Sequence, residues 1–132
     1  MTNLITIDRL AEAIEKCGEA NELFYLASPY STYAEGMFQA AQHAAKIASL
    51  LLDRDLIVIS PIVHGHHVDA WSLSGRPHYF WMRQCLALLP KCRGLIVAAL
   101  PGWDTSSGVG MEVEWAVKNH MPTFYLDVDG LI

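Results

Sequence analysis

Four short apolar runs, Leu23–Ala27, Leu56–Ile59, Leu95–Leu100 and Thr123–Leu126, alternate with longer stretches of helical periodicity. Runs this short are strand-length, and the first three are closed by Ser-Pro, Ser-Pro and Pro-Gly, residues that punctuate rather than extend a strand. Strands that alternate with helices pair in parallel, because a parallel neighbour is reached only through a long crossover. The pattern predicts an α/β domain with a mostly parallel sheet and helices on both faces. A chain of 132 residues accommodates one such domain.

Between the strands the helical spacing is explicit in places. Apolar residues at Ile7, Leu10, Ala11, Ile14 and Cys17 recur with a period near 3.6, which predicts a helix from Ile7 to Cys17 with Thr6 or Asp8 near its start and Gly18 ending it. An Ala-rich helix is expected from Ala34 to about Leu52, capped by Ser31 or Thr32. Further helices are expected over His78–Leu89, between Pro77 and Pro90, and over Val109–Asn119. The run from Ile62 to Pro77 shows no periodicity and reads as a long loop, of a length that in a small domain usually has a function.

The composition narrows the function. Hydrophobic residues make up 52% and charged ones 17%, and the formal net charge is −5 with no Lys/Arg run. A reader of a nucleic acid backbone needs clustered cations, so no polymeric nucleic acid partner is expected. The apolar surplus suits a sheet covered on both faces and equally a homo-oligomeric interface, as a dimer or tetramer. No run approaches the roughly 18 apolar residues of a membrane span, and no basic-then-apolar leader opens the sequence. The expected setting is therefore the cytoplasm, without a membrane partner. Cys17, Cys85 and Cys92 lack metal-type spacing, and core packing is the simpler account of the last two.

In open parallel sheets ligands lie beyond the carboxyl ends of the strands. Three segments converge there by construction: Ser28–Tyr33, Pro61–Arg76 and Pro101–Gly108. Glu112 stands about one turn into the helix after the third strand, with Ser106 or Ser107 as cap. A helix start is expected to keep its carboxylate ionised near neutral pH, and such a carboxylate can attack a sugar carbon as the leaving group departs. An ordinary acid in a first helical turn fits the position as well. Gly108 and Gly110 leave room for a substrate against the backbone. Asp104 fits either the handling of a leaving base or a local turn, and Trp103 either stacking on a planar base or covering the core edge. Ser28, Tyr30 and Tyr33 follow the first strand, where their hydroxyls can meet a sugar or Glu112; Pro29-Tyr30 also suits a packed turn. His64, His66, His67 and Asp69 invite a metal reading, with His-x-His on an extended segment facing one way. No companion pair such as His-x-x-x-His accompanies them, so ligand contacts are preferred, and neither metal nor cofactor is expected. Phosphate-binding Gly-rich fingerprints and a Ser nucleophile elbow are absent.

These residues carry a resemblance. Leu26-Ala27-Ser28-Pro29-Tyr30 is similar to the opening of the nucleoside 2-deoxyribosyltransferase-like proteins, and Ser60-Pro61-Ile62-Val63-His64 resembles their second-strand exit. Leu100-Pro101-Gly102-Trp103-Asp104-Thr105-Ser106-Ser107-Gly108-Val109-Gly110-Met111-Glu112 resembles their signature loop and helix. Its Ser-Gly-Val-Gly-x-Glu core also resembles the 2'-deoxynucleoside 5'-phosphate N-hydrolase branch. The resemblance runs from about residue 23 to 127. It implies a flavodoxin-like three-layer sandwich, with residues 1–20 as an N-terminal helical extension, that cleaves or transfers at the N-glycosidic bond of a nucleoside or nucleoside 5'-monophosphate. Glu112 would be the nucleophile, Tyr30 the tyrosine that orients it, Ser107 a residue close to a 5'-phosphate, and His64 part of the substrate site. Members often carry an Asp and then a Cys-Asp pair where this chain has Cys85 and Cys92-Arg93, which leaves Asp104 as the candidate base-handling acid. A nucleotide-binding module of the same fold without catalysis is the alternative.

Overall fold

The computed structural model describes residues 2–132. Its four strands, β1 (Leu23–Ala27), β2 (Ile57–Ile59), β3 (Gly94–Ala98) and β4 (Thr123–Leu126), form one sheet in the order β2-β1-β3-β4, and every pairing is parallel. The helices are α1 (Ile7–Lys16), α2 (Met37–Leu52), α3 (Pro61–Asp69), α4 (His78–Leu88) and α5 (Ser107–Lys118).

Period-2 alternation sorts the sheet's side chains into two cores. Phe24, Leu26, Ile96 and Ala98 face a cluster completed by Ile7, Leu10 and Ile14 of α1 and by Ala40, Ile47 and Leu51 of α2. Tyr25, Ala27, Leu95 and Val97 face the opposite cluster, with Cys85 of α4 and Val109 and Ala116 of α5. The result is a three-layer α/β/α arrangement consistent with a flavodoxin-like sandwich. Cys85 and Cys92 are both buried apolar fillers. No helix among the described residues is long and apolar enough to cross a membrane.

Residues 2–20 do more than extend the domain. Thr6 caps α1 by accepting from the Arg9 N–H, Gly18 leaves it with φ +71, and α1 fills one face of the sheet. Ile5 bridges in parallel to Leu126, its N–H donating to the Tyr125 carbonyl at 2.8 Å.

Two expectations need correction. The Ala-rich helix starts at Met37, not Ala34, and neither Ser31 nor Thr32 caps it; its N-cap is Gly36, with φ 93 and ψ 164 and no side-chain cap. Two successive turns, closed by Tyr33 N–H to Tyr30 O and Gly36 N–H to Tyr33 O, use up the intervening residues. The supposed loop from Ile62 holds α3. Ser60 accepts from the Val63 N–H at 3.3 Å with Pro61 in the first turn, a complete start signal. Only Gly65 of α3 is buried, so it has no apolar stripe for periodicity to detect.

Gly94 opens β3 where nothing larger fits. A Cβ there would lie 2.6 and 2.9 Å from the Phe24 ring and 3.1 Å from the Pro122 carbonyl oxygen. Phe24 is itself fully packed and has no free volume to retreat into. Gly94→Ala is expected to destabilise the fold by about 1–3 kcal/mol, read as a lower midpoint with an unchanged slope in urea unfolding.

Candidate active site

A cavity of about 300 Å³ opens at the carboxyl edge of the sheet, near the lower end of the roughly 300–1,000 Å³ typical of small-molecule sites. All three segments expected to converge contribute: Ser28, Tyr30 and Ser31 after β1; Pro61, Ile62, Gly65, His66, Asp69 and Arg76 after β2; Ser106, Gly108 and Glu112 after β3. The helix α4 adds His78, Trp81, Met82 and Cys85.

The deepest of these residues are Ser28, Met82, Cys85 and Glu112. Ser106 caps α5 by accepting from the Val109 N–H at 3.3 Å, and this fixes the helix start so that Glu112 turns inward. Tyr25, fully buried on β1, donates its phenol proton to Glu112 Oε2. The carboxyl is 6% exposed, and burial pushes its pKa up to about 7, partly offset by the Tyr25 hydrogen bond. The helix-start argument for a fully ionised Glu112 is thereby corrected: loss of hydration outweighs the helix end. Burial also raises the Tyr25 phenol and the Cys85 thiol; Tyr25 partly offsets the rise at Cys85, and the neighbouring Glu112 charge raises both further. The Ser28 hydroxyl has no hydrogen-bond partner among the described residues.

The mouth is polar and braced. Tyr30 OH and His66 Nδ1 are 2.7 Å apart, and burial, then Asp69, raises the Tyr30 phenol. Arg76 Nη1 pairs with Asp69 Oδ1 at 3.0 Å, and its guanidinium lies 5.7 and 5.9 Å from the Phe80 and Trp81 ring centroids. Trp81 packs against α3 at Gly65, where a Cβ would sit 3.4 Å from its ring.

The expected site residues divide. Glu112, Ser28, Tyr30 and Gly108 line the cavity, but Tyr30 bonds His66, and the tyrosine on Glu112 is Tyr25. Tyr33 turns into the other core and meets His43 Nδ1 at 2.8 Å. Because α3 is a helix, the two imidazoles of His64-Gly65-His66 diverge: His66 faces the cavity while His64 is exposed. Asp104 sits exposed on a 3-10 turn outside the cavity. Trp103 covers the core edge against Tyr125, ring centroids 5.5 Å apart. Ser106 took the cap, so Ser107 starts the helix on its solvent side, and Gly110 is also exposed. Among the described residues no three His, Cys, Asp or Glu side chains are placed to hold a metal ion.

Sequence reasoning missed Tyr25, Arg76, Trp81 and Met82 as parts of the site; Asp69 entered only with the neighbouring histidines and Cys85 only through the resemblance. For Tyr25 a signal existed: a phenol inside a buried strand must find a partner for its hydroxyl. The model of a family described as a domain of unknown function (DUF1937) matches residues 22–127, a span that contains the whole cavity. No curated protein matches the chain.

A native carboxyl that titrates near 7, against 4.5 when hydrated, binds its proton over a range where the unfolded chain has released it. Its contribution to stability is therefore fully present below pH 4.5 and lost as pH rises through 7, roughly 3 kcal/mol in all. Glu112→Gln is expected to remove that fall. Chemical denaturation at intervals from pH 5 to 8 checks it, and equal slopes for both proteins would refute the burial argument.

Proposed function

The chain belongs to the DUF1937 family, and we propose that it breaks or transfers the N-glycosidic bond of a nucleoside or nucleoside 5'-monophosphate, with Glu112 as the glycosyl nucleophile. The observation that carries this reading is the Tyr25–Glu112 pair at the bottom of a ligand-sized cavity. A carboxylate aimed by one donor and stripped of its water shell is a well-placed nucleophile. The resemblance of the Ser106–Glu112 stretch to nucleoside-cleaving proteins supports the same role.

In the proposed reaction an ionised Glu112 oxygen bonds to the anomeric carbon as the carbon–nitrogen bond breaks, and that electron pair leaves with the base. Water, or the nitrogen of a second base, then attacks the same carbon and releases the carboxylate. Tyr25 holds the carboxylate's second role in check: its proton is shared with the oxygen that would otherwise pick one up. His66 and His78 line the mouth and are the candidate proton donors to the departing base, in place of the exposed Asp104.

The non-catalytic alternative draws on one observation, that Cys85 rather than a carboxylate lines the cavity. The readings separate on one experiment. The protein is incubated with a nucleoside or its 5'-monophosphate, with and without a different free base, and products are resolved chromatographically. Base exchange identifies transfer, and free sugar or sugar phosphate identifies hydrolysis. Glu112→Ala is expected to lower turnover by about 10³-fold or more with the fold retained. Ligand binding that survives in Glu112→Ala, with no turnover by the unaltered chain, would establish the binding module instead.

The pH dependence follows from the same pair. Because the nucleophile must be ionised and its pKa lies at about 7, kcat/KM is expected to rise with pH through that value. Tyr25→Phe removes the hydrogen bond that lowers it. The acid limb should move to higher pH and turnover should fall about 10- to 100-fold, the range for a hydrogen bond to a charged group.

A further inference from the structure

Ser28 is the one deep polar group of the cavity with nothing to bond. It is 4% exposed, its Oγ has no hydrogen-bond partner among the described residues, and it lines the cavity together with Glu112. The other deep residues do not answer it: Met82, Cys85 and Glu112 make no hydrogen bond to its Oγ, and Tyr25 donates to Glu112. A buried hydroxyl left unbonded is costly, so its retention points to a ligand group that completes it. From this we infer that Ser28 reads the hydroxyl on the sugar carbon next to the anomeric carbon, making ribose rather than 2-deoxyribose the favoured sugar.

This rests on the role proposed for Glu112. If Glu112 attacks the anomeric carbon, that carbon lies about 3–3.5 Å from its oxygen, and the substituents on the adjacent carbon are the ones brought nearest the neighbouring deep residues. A hydroxyl there is a donor and an acceptor, as is Ser28. It also withdraws electrons from the positive charge that develops as the base departs, so ribosides ionise less readily than deoxyribosides. An acceptor on that hydroxyl offsets the withdrawal, and such bonds to the 2-hydroxyl strengthen in the transition state of glycoside cleavage. With the deoxy sugar Ser28 would stay unbonded in a closed site, the situation in which discrimination is strongest.

Matched ribonucleoside and 2'-deoxyribonucleoside 5'-monophosphates of each common base, and the corresponding nucleosides, test the inference on the full chain. Cleavage is followed for the unaltered protein, and binding is followed calorimetrically with Glu112→Gln. The ribo member of the pair is expected to be favoured at least about tenfold in kcat/KM. Ser28→Ala should bring the two members within about twofold while melting no lower than the unaltered chain, since it discards an unbonded group. Ser28→Gly provides the same comparison with more room. A preference for the deoxy member, equal use of both, or a ribo preference that persists in both Ser28 variants would overturn the inference. In each of those cases Glu112-dependent cleavage of either sugar leaves the proposed function standing. Absence of both cleavage and binding for every pair would defeat the proposed function, and the sugar preference with it.

Discussion

Everything at the carboxyl edge of the sheet is arranged around one buried carboxyl and the phenol that bonds it. Glu112 comes from α5 and Tyr25 from β1, so their meeting requires the helix to start at a fixed height above the sheet. Ser106 sets that height through its cap on Val109. The register Tyr25↔Leu95 sets the other partner, because a one-residue slip of β1 against β3 would turn Tyr25 into the α1–α2 core and leave Glu112 alone in the dark. An unpaired carboxyl at that depth would be protonated at neutral pH or would force water in. The pair thus ties the position of α5 to the alternation of β1.

The cavity is graded from this point outward. Met82 and Cys85 keep the deep end apolar beside Glu112, whereas Tyr30–His66 and Asp69–Arg76 ring the mouth with charge and hydrogen bonds. The mouth groups hold each other, so they are positioned before any ligand arrives, which reduces the ordering cost of binding. Arg76 is fixed from two sides, by a carboxylate and by aromatic rings. The segment between α3 and α4 therefore returns to the cavity at a defined place even though Trp71 and Leu73 on it are exposed.

How far the sequence could be read depended on which force set each element. The strands were legible because burial on both faces demands continuous apolar residues, and parallel pairing followed from their spacing. The helix α1 was legible because its stripe is sharp. The helix α3 was not, since it is held by its Ser60 cap and by Gly65 packed under Trp81 rather than by an apolar stripe, and its histidines were assigned to an extended segment in consequence. In the site, Ser28 and Tyr30 could be found because they follow a strand end, and Gly108 and Glu112 because they stand in the first turns of the helix after one. Tyr25 sits inside a strand, where its ring satisfies the apolar pattern and conceals its hydroxyl. The α4 residues Trp81, Met82 and Cys85 reach the cavity only through helix packing across the sheet, which no local spacing encodes.

Cys85 bears on why this site can hold an ionisable Glu112 at all. A second carboxylate at that place would share a region of low hydration with Glu112, and two like charges there push one of the pair strongly toward its protonated form. Burial raises the Cys85 thiol instead, so it is neutral across the pH range in which Glu112 titrates. Glu112 then answers only to desolvation and to Tyr25, and its titration falls near neutrality rather than well above it. A neutral thiol has no charge with which to activate a departing base, so whatever assists that step must come from the braced polar mouth. Placing one thiol, rather than a second acid, on the inner face of α4 leaves Glu112 as the carboxyl that sets the charge of the deep end.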